Sequence, residues 1–252
     1  MRMNTTLVIN SKGGSGKTTV ATNLVSSFAA QGIPTTLMDY DPQGSSLNWL
    51  RLRTGGARIH GADAAPQKGG RIRSVQMHVP VDTQQLVIDA PAGASGLLLQ
   101  EMLYKSDCIV VPVAPSAIDI HATANFIRDL LIVGRIRTRN IRLAVAANRV
   151  RSSMPVYQPL ERFLGSLGLP FLARISDSDV YVKAAETGIG IFEMDAAAAA
   201  AEVQEFTPIV EWVSGQWVSE TSPEGKIIEV PRTRWMEKGR ISSFGSSLAP
   251  SS

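Results

Sequence analysis

Cysteine is nearly absent from the chain. Cys108 is the single one among 252 residues, which excludes an intrachain disulfide framework and any Cys₂ or Cys₄ metal site. It lies in the apolar run Cys108-Ile109-Val110-Val111-Pro112-Val113, a setting for a small buried side chain. Long apolar runs are missing as well. None approaches the roughly 18 residues a membrane-spanning helix requires. The opening Met1-Arg2-Met3-Asn4 has no signal-peptide pattern and leads straight into a β-leaning stretch. A cytoplasmic location is therefore expected. The net formal charge is only +3, which permits an anionic partner without demanding one.

What the chain has in quantity is hydrophobic residues, at 44%. That is ample for one large α/β domain, expected over residues 1–213. From residue 214 to 252 the composition turns to Gly, Ser, Pro and charges. This predicts a C-terminal tail, either flexible or docked on a partner through Trp217, Ile227, Ile228, Val230 and Trp235.

The densest signal is Ser11-Lys12-Gly13-Gly14-Ser15-Gly16-Lys17-Thr18-Thr19. It follows the apolar Thr6-Leu7-Val8-Ile9 and precedes helical apolar spacing at Val20, Leu24, Val25 and Phe28. Strand, glycine loop and helix are the context of a phosphate-binding loop. The glycines let the backbone turn tightly, so that its N–H groups face a polyanion. The helix that follows points its positive end at the same place. Lys17 would reach the β- and γ-phosphates of a nucleotide, and the Thr18 hydroxyl would ligate Mg²⁺.

Two further strings end strands with acids. Thr35-Thr36-Leu37-Met38 runs into Asp39-Tyr40-Asp41-Pro42-Gln43-Gly44. Leu86-Val87-Ile88 runs into Asp89-Ala90-Pro91-Ala92-Gly93, a Walker B pattern whose Asp89 would hold a Mg²⁺-bound water. Carboxylates at the C-terminal ends of strands sit on the ligand-binding edge of an open α/β sheet. The alternation of strands and helices predicts a mostly parallel twisted sheet with helices on both faces. Residues 54–80 resist reading beyond short strands and a small helix. Helices are expected over residues 97–104, 123–133, 155–167, 179–188 and from about 196 to 212. Asp119 caps a helix, supports the 89–93 loop, or is a plain carboxylate in a helix's first turn.

The loop K-G-G-S-G-K-T-T departs from the general pattern G-x-x-x-x-G-K-[ST], since Ser11 takes the first glycine's place and Lys12 stands early. In this it resembles the deviant Walker A motif of the ParA/MinD family of P-loop ATPases, and D-x-D-P-Q-G resembles that family's second signature. The resemblance covers residues 5–212 and leaves the tail unexplained. It implies an ATPase using ATP and Mg²⁺, with Gly13, Gly14, Ser15, Gly16, Lys17, Thr18 and Thr19 around the phosphates. By the same resemblance Lys12 crosses to the partner's ATP in a homodimer, Asp41 polarises the attacking water and Asp39 supports the Mg²⁺ region. Asn148-Arg149 resembles the family's adenine-reading position, although an Asn in a plain strand-to-helix turn is the other reading.

Family members of this size usually bind DNA without reading sequence. Candidate contacts are Arg135, Arg137, Arg139, Arg142, Arg149, Arg151, Arg174 and Lys183, whose phosphate neutralisation would be salt-sensitive. The resemblance implies a nucleoid-associated positioning ATPase stimulated by an adaptor of the ParB or McdB type. Its cargo would be a plasmid or chromosome locus, or a protein organelle such as the carboxysome. Membrane association of the MinD kind is not expected, because Pro231 and Gly239 interrupt the tail and leave no amphipathic helix. A metabolic P-loop enzyme shares the fold but generally not Lys12 together with D-x-D-P-Q.

Overall fold

The computed structural model describes residues 2–66, 76–132, 134, 136, 138–151, 158, 162, 165, 166, 168–221 and 227–231. Among them, seven strands form one parallel sheet in the order β3-β2-β4-β1-β5-β6-β7. The strands are β1 (Asn4–Val8), β2 (Thr35–Asp39), β3 (His60–Asp63), β4 (Gln85–Asp89), β5 (Cys108–Val113), β6 (Arg142–Val150) and β7 (Phe171–Ser176). The helices are α1 (Lys17–Ala30), α2 (Ser45–Leu52), α3 (Gly96–Lys105), α4 (Ala117–Ile132), α5 (Asp179–Glu186) and α6 (Ala200–Val213).

The sheet is buried on both faces, which is why its strands read as continuous apolar runs. Side chains alternate faces with a period of two. Leu7, Ile9, Ile109 and Val111 pack with Met102, Leu103, Phe126 and Ile127 of α3 and α4. Val8, Cys108 and Val110 pack on the other face with Val20, Leu24 and Phe28 of α1 and Phe206 and Trp212 of α6. Cys108 is wholly buried, and burial pushes its thiol up to about 11. It is therefore an inert part of the core.

Helix α1 lies so deep that its polar residues are buried too. The hydroxyls are satisfied within the helix: Thr22 Oγ1 donates to the Thr18 carbonyl (2.9 Å), and Ser27 Oγ to that of Leu24 (2.8 Å). This meets the requirement that buried hydroxyls be paired.

One expectation needs adjustment. The last helix begins at Ala200, not near 196, because Asp195 Oδ1 accepts the N–H groups of Ala197 (3.0 Å) and Ala198 (3.1 Å) and holds a turn there. The segment after Ser214 contributes a hairpin, β8 (Trp217–Thr221) antiparallel to β9 (Ile227–Pro231). The hairpin is tied to α6 by Trp212 Nε1 donating to Glu229 Oε2 at 2.5 Å. The helix expected over residues 155–167 falls largely outside the described residues, as do 67–75 of the unreadable stretch and 232–252 of the tail.

Strand order positions the site. From β1 the chain runs to β2 and β3 on one side, comes back through β4, and continues to β5, β6 and β7 on the other. Such a reversal opens a crevice at the C-terminal ends of the central strands. The 11–16 loop leaves β1 at that place.

Candidate functional site

The loop is held from two sides. Asn10, wholly buried behind it, donates through Nδ2 to the Pro112 carbonyl (2.7 Å) and to Thr123 Oγ1 (3.0 Å). Its Oδ1 accepts the Lys12 N–H at 3.3 Å. From the far side, Asn148 Nδ2 donates to the Ser15 carbonyl at 3.0 Å. Gly16 has φ +89° and no room for a side chain: a Cβ there would stand 1.7 Å from Asn148 Nδ2. Gly14, with φ +75°, supplies the other left-handed turn. Helix α1 starts at Lys17, directly after Gly16, so the N–H groups of its first turn open at the loop.

The two lysines differ sharply. Lys17 is buried, and its Nζ donates to the Lys12 carbonyl at 3.1 Å. Burial pulls its ammonium below the ordinary value, while Asp89 and Asp41 act in the opposite direction. A desolvated cation of this kind gains most from a phosphate. Lys12 is half exposed, with Nζ 3.9 Å from Asp119 Oδ1. Asp119 stands in the first turn of α4, where Ser116 Oγ both accepts its N–H (3.1 Å) and donates to its Oδ2 (2.6 Å). Ser116, not Asp119, is thus the capping residue.

The carboxylates divide into an anchor and a free acceptor. Asp39 Oδ1 accepts the Asp41 N–H at 2.9 Å, and Oδ2 accepts those of Ser46 (3.1 Å) and Leu47 (3.2 Å). It therefore shapes the 40–44 turn and holds the start of α2. Burial raises its pKa. Asp89 Oδ2 accepts from Thr18 Oγ1 at 2.8 Å, whereas Oδ1 is buried without a partner. Burial first, then the charge of Asp39, push Asp89 up to about 7, against the Thr18 hydrogen bond and Lys17. An orphaned buried carboxylate oxygen beside a hydroxyl fits a hydrated Mg²⁺. Thr18 and Asp89 are the pair suited to hold it. Asp41 is half-buried and accepts the Gln43 N–H on Oδ1 at 2.9 Å.

Beside the loop lies a cavity of about 470 Å³, lined by Thr19, Asn148, Arg149, Ser178 and Tyr181 among others. Arg149 is exposed and has φ +57°, a sparsely used setting for a non-glycine residue. The cavity is of a size for a base and ribose. Asn148 has spent one amide donor on the loop, so its contribution there is first to hold Ser15.

The basic candidates are scattered. Arg142 caps α6: Nη1 donates to the Trp212 carbonyl at 2.7 Å, and the guanidinium lies 4.7 Å from the Trp212 ring centroid. This corrects its expected place in an open patch, since a cation satisfies the last carbonyls of a helix. Arg151 pairs with Asp177 at 3.0 Å. Arg174 lies against the Phe171 ring and Arg139 against that of Tyr104. Lys183 is exposed on α5. Arg142 and Arg149 stand at opposite ends of β6, roughly 23 Å apart at about 3.3 Å per residue. Arg135 and Arg137 lie outside the described residues.

Asn10 shapes the site without any motif to mark it, and Asn23, Arg53 and Glu193 hold the segment behind α1. Arg53 and Glu193 form a buried ion pair, with side chains 7% and 6% exposed. Arg53 also donates to the Gly188 carbonyl (3.0 Å), and the Gly190 N–H donates to Glu193 Oε2 (3.1 Å). Asn23 Oδ1 accepts the Ile191 N–H at 2.9 Å, while a Cβ on Gly190 would stand 1.7 Å from Ser26 Oγ. The string Glu186-Thr187-Gly188-Ile189-Gly190-Ile191-Phe192-Glu193 thus packs on α1 through Asn23 and Ser26 and on the end of α2 through Arg53.

A parallel sheet with this loop at its switch point, a buried lysine and a carboxylate with a free oxygen define the P-loop NTPase fold of the MinD/ParA type. The profile of the CobQ/CobB/MinD/ParA nucleotide binding domain family matches residues 6–191, and the chain belongs to that family. It is 24% identical over 193 residues to the maintenance of carboxysome distribution protein A of Halothiobacillus neapolitanus, covering 76% of this chain and 88% of that one. An ATP complex of McdA from Cyanothece superposes with a TM-score of 0.61 at 15% identity, covering 84% and 96% of the two chains. The septum site-determining protein MinD from Pyrococcus horikoshii, complexed with Mg-ADP, superposes with a TM-score of 0.60 at 17% identity, covering 84% and 96%. Among the described residues no helix is long and apolar enough to cross a membrane.

Proposed function

We propose that the chain is a ParA-type positioning ATPase of the carboxysome-distribution kind, acting as an ATP-dependent homodimer on DNA. One observation carries the reading. Lys12 presents a half-exposed ammonium at the rim of the loop while Lys17 is buried within it. Lys17 serves the nucleotide of its own subunit. Lys12 serves the phosphates bound in a second copy. Bound Mg²⁺, held through Thr18 and Asp89, supplies neutralisation of the β- and γ-phosphate charge. Asp41 orients the attacking water, and loss of the γ-phosphate loosens the dimer.

The similarity to carboxysome distribution protein A favours a protein organelle over a plasmid or chromosome locus as cargo. The dimer binds nucleoid DNA through exposed cations such as Lys183, and doubling them raises avidity. A partner of the ParB or McdB type stimulates hydrolysis and releases it. The test is a gel shift with random-sequence DNA in ATP, ADP or no nucleotide, at two salt concentrations. Binding with ATP alone, weakened by salt, is expected. Absence of binding in all three states would overturn the DNA-based reading, and anionic liposomes would then test the membrane alternative.

A further inference from the structure

Tyr40 separates Asp39 from Asp41, yet its own side chain serves neither. It is wholly buried and packs on the α3/α4 side of the sheet. Its hydroxyl donates to Glu101 Oε1 at 2.9 Å. Lys105 Nζ donates to the same hydroxyl at 2.8 Å and to Glu101 Oε1 at 2.7 Å. The Lys105 ammonium also lies 5.5 Å from the Tyr40 ring centroid. Through its backbone, Tyr40 N–H donates to the Asp89 carbonyl at 3.0 Å. One residue thus bonds the turn that carries Asp41, the strand end that carries Asp89, and helix α3. Residues 90–95 join Asp89 directly to α3.

We propose that Tyr40 is a positioning residue that locks the 39–44 turn to α3, so that Asp41 and the 90–95 loop move as one body during turnover. The argument is geometric. A phenol buried in an apolar layer needs a hydrogen-bond partner. Here the partners are a charge pair on the helix that starts where the 90–95 loop ends. Charge-assisted hydrogen bonds are the stronger kind and hold position better than apolar contact alone. A phenylalanine would fill the same space and lose only the lock. The proposal rests on the role given to Asp41 above.

The test compares wild type, Tyr40→Phe and Asp41→Ala as full-length chains. Tyr40→Phe should lower kcat on the order of tenfold, because small displacements of a water-orienting group are costly. The KM for MgATP should stay within about twofold, since the loop and Thr18 are untouched. Amide hydrogen exchange should quicken at residues 39–47 and 96–105, with and without MgADP, while exchange in α1 is unchanged. A merely structural role would lower the unfolding temperature and leave kcat and local exchange alone. Unchanged exchange in both segments would overturn the proposal whatever the rate. Should Asp41→Ala hydrolyse ATP at the wild-type rate, the role of Asp41 fails, while exchange still reads the lock independently.

Discussion

Lys17 donates its ammonium to the carbonyl of Lys12, 3.1 Å away. The same pair of residues that would divide the phosphates of a dimer between two subunits is therefore joined within one chain. A phosphate would compete with a backbone carbonyl for the Lys17 ammonium, and a doubly charged oxyanion wins that competition in a desolvated site.

Lys17→Ala should accordingly lose nucleotide binding, by about a hundredfold or more, as removal of a buried charge contact with phosphate implies. The fold should persist, because Lys17 makes no core contact that alanine cannot tolerate in α1. Calorimetric titration with ATP, alongside circular dichroism, checks both. Undiminished ATP affinity would remove the loop from the site.

Asp41→Ala should bind ATP normally and hydrolyse it slowly. The Asp41 carboxylate accepts only the Gln43 N–H within the turn, so the turn itself survives on Asp39. Steady-state phosphate release and size-exclusion chromatography with ATP should show a slow, long-lived dimer. Rapid turnover by the variant would exclude Asp41 from the chemistry.

The Mg²⁺-dependent part of ATP affinity should rise with pH toward about 7. Asp89 is pushed up to about 7 by burial, and an ion at its bare Oδ1 must displace the proton. Below that pH each unit should weaken the Mg²⁺-dependent term by up to about tenfold for one proton. The metal-free protein has the opposite slope. Its folded state keeps a proton that the unfolded chain releases from about pH 4 upward, so this group lowers stability as pH rises toward 7. Titrations at pH 6 and 8 with and without Mg²⁺ read the first effect. Asp89→Asn should flatten it; a persistent slope in that variant would place the titration elsewhere.

Gly16→Ala should cost nucleotide affinity and stability together. The position combines φ +89° with an Asn148 Nδ2 only 1.7 Å from the new Cβ. A left-handed alanine costs about 1–2 kcal/mol, and losing the Asn148 bond to Ser15 adds about 1 kcal/mol. Adding Asn148→Ala removes the clash but leaves the backbone penalty. Chemical denaturation of the double variant should therefore show a loss smaller than the sum of the two single ones.

Arg53→Met should destabilise by about 3–5 kcal/mol, because it strands a buried Glu193 carboxylate. Glu193→Gln should do less, because Arg53 keeps the Gly188 and Ala57 carbonyls and the one amide oxygen still accepts either the Ala57 or the Gly190 N–H. Urea melts with a double-variant cycle measure the coupling. Additive losses would mean that the pair contributes no more than its separate contacts.

Much of this was legible in the chain because it is local. The left-handed turns at Gly14 and Gly16, the strand ends at Asp39 and Asp89 and the start of α1 depend on residues a few positions apart. Their backbone preferences act within that distance, so order along the chain is enough to read them. The start of α6 misled because Asp195 turns the chain by bonding its own neighbours, which an alanine run conceals. Arg142 misled because its partner carbonyls at Trp212 and Val213 lie 70 and 71 positions away.

The sequence by itself determined the fold class, the phosphate loop and the acids that end the neighbouring strands, since each follows from short-range patterning. Only the tertiary structure decided that Asp39 anchors while Asp89 keeps a free oxygen, that Asn148 holds Ser15 across 133 positions, and that Arg53 and Glu193 pair across 140. Those roles depend on which groups burial leaves unsatisfied, and burial is settled by the packing of distant segments.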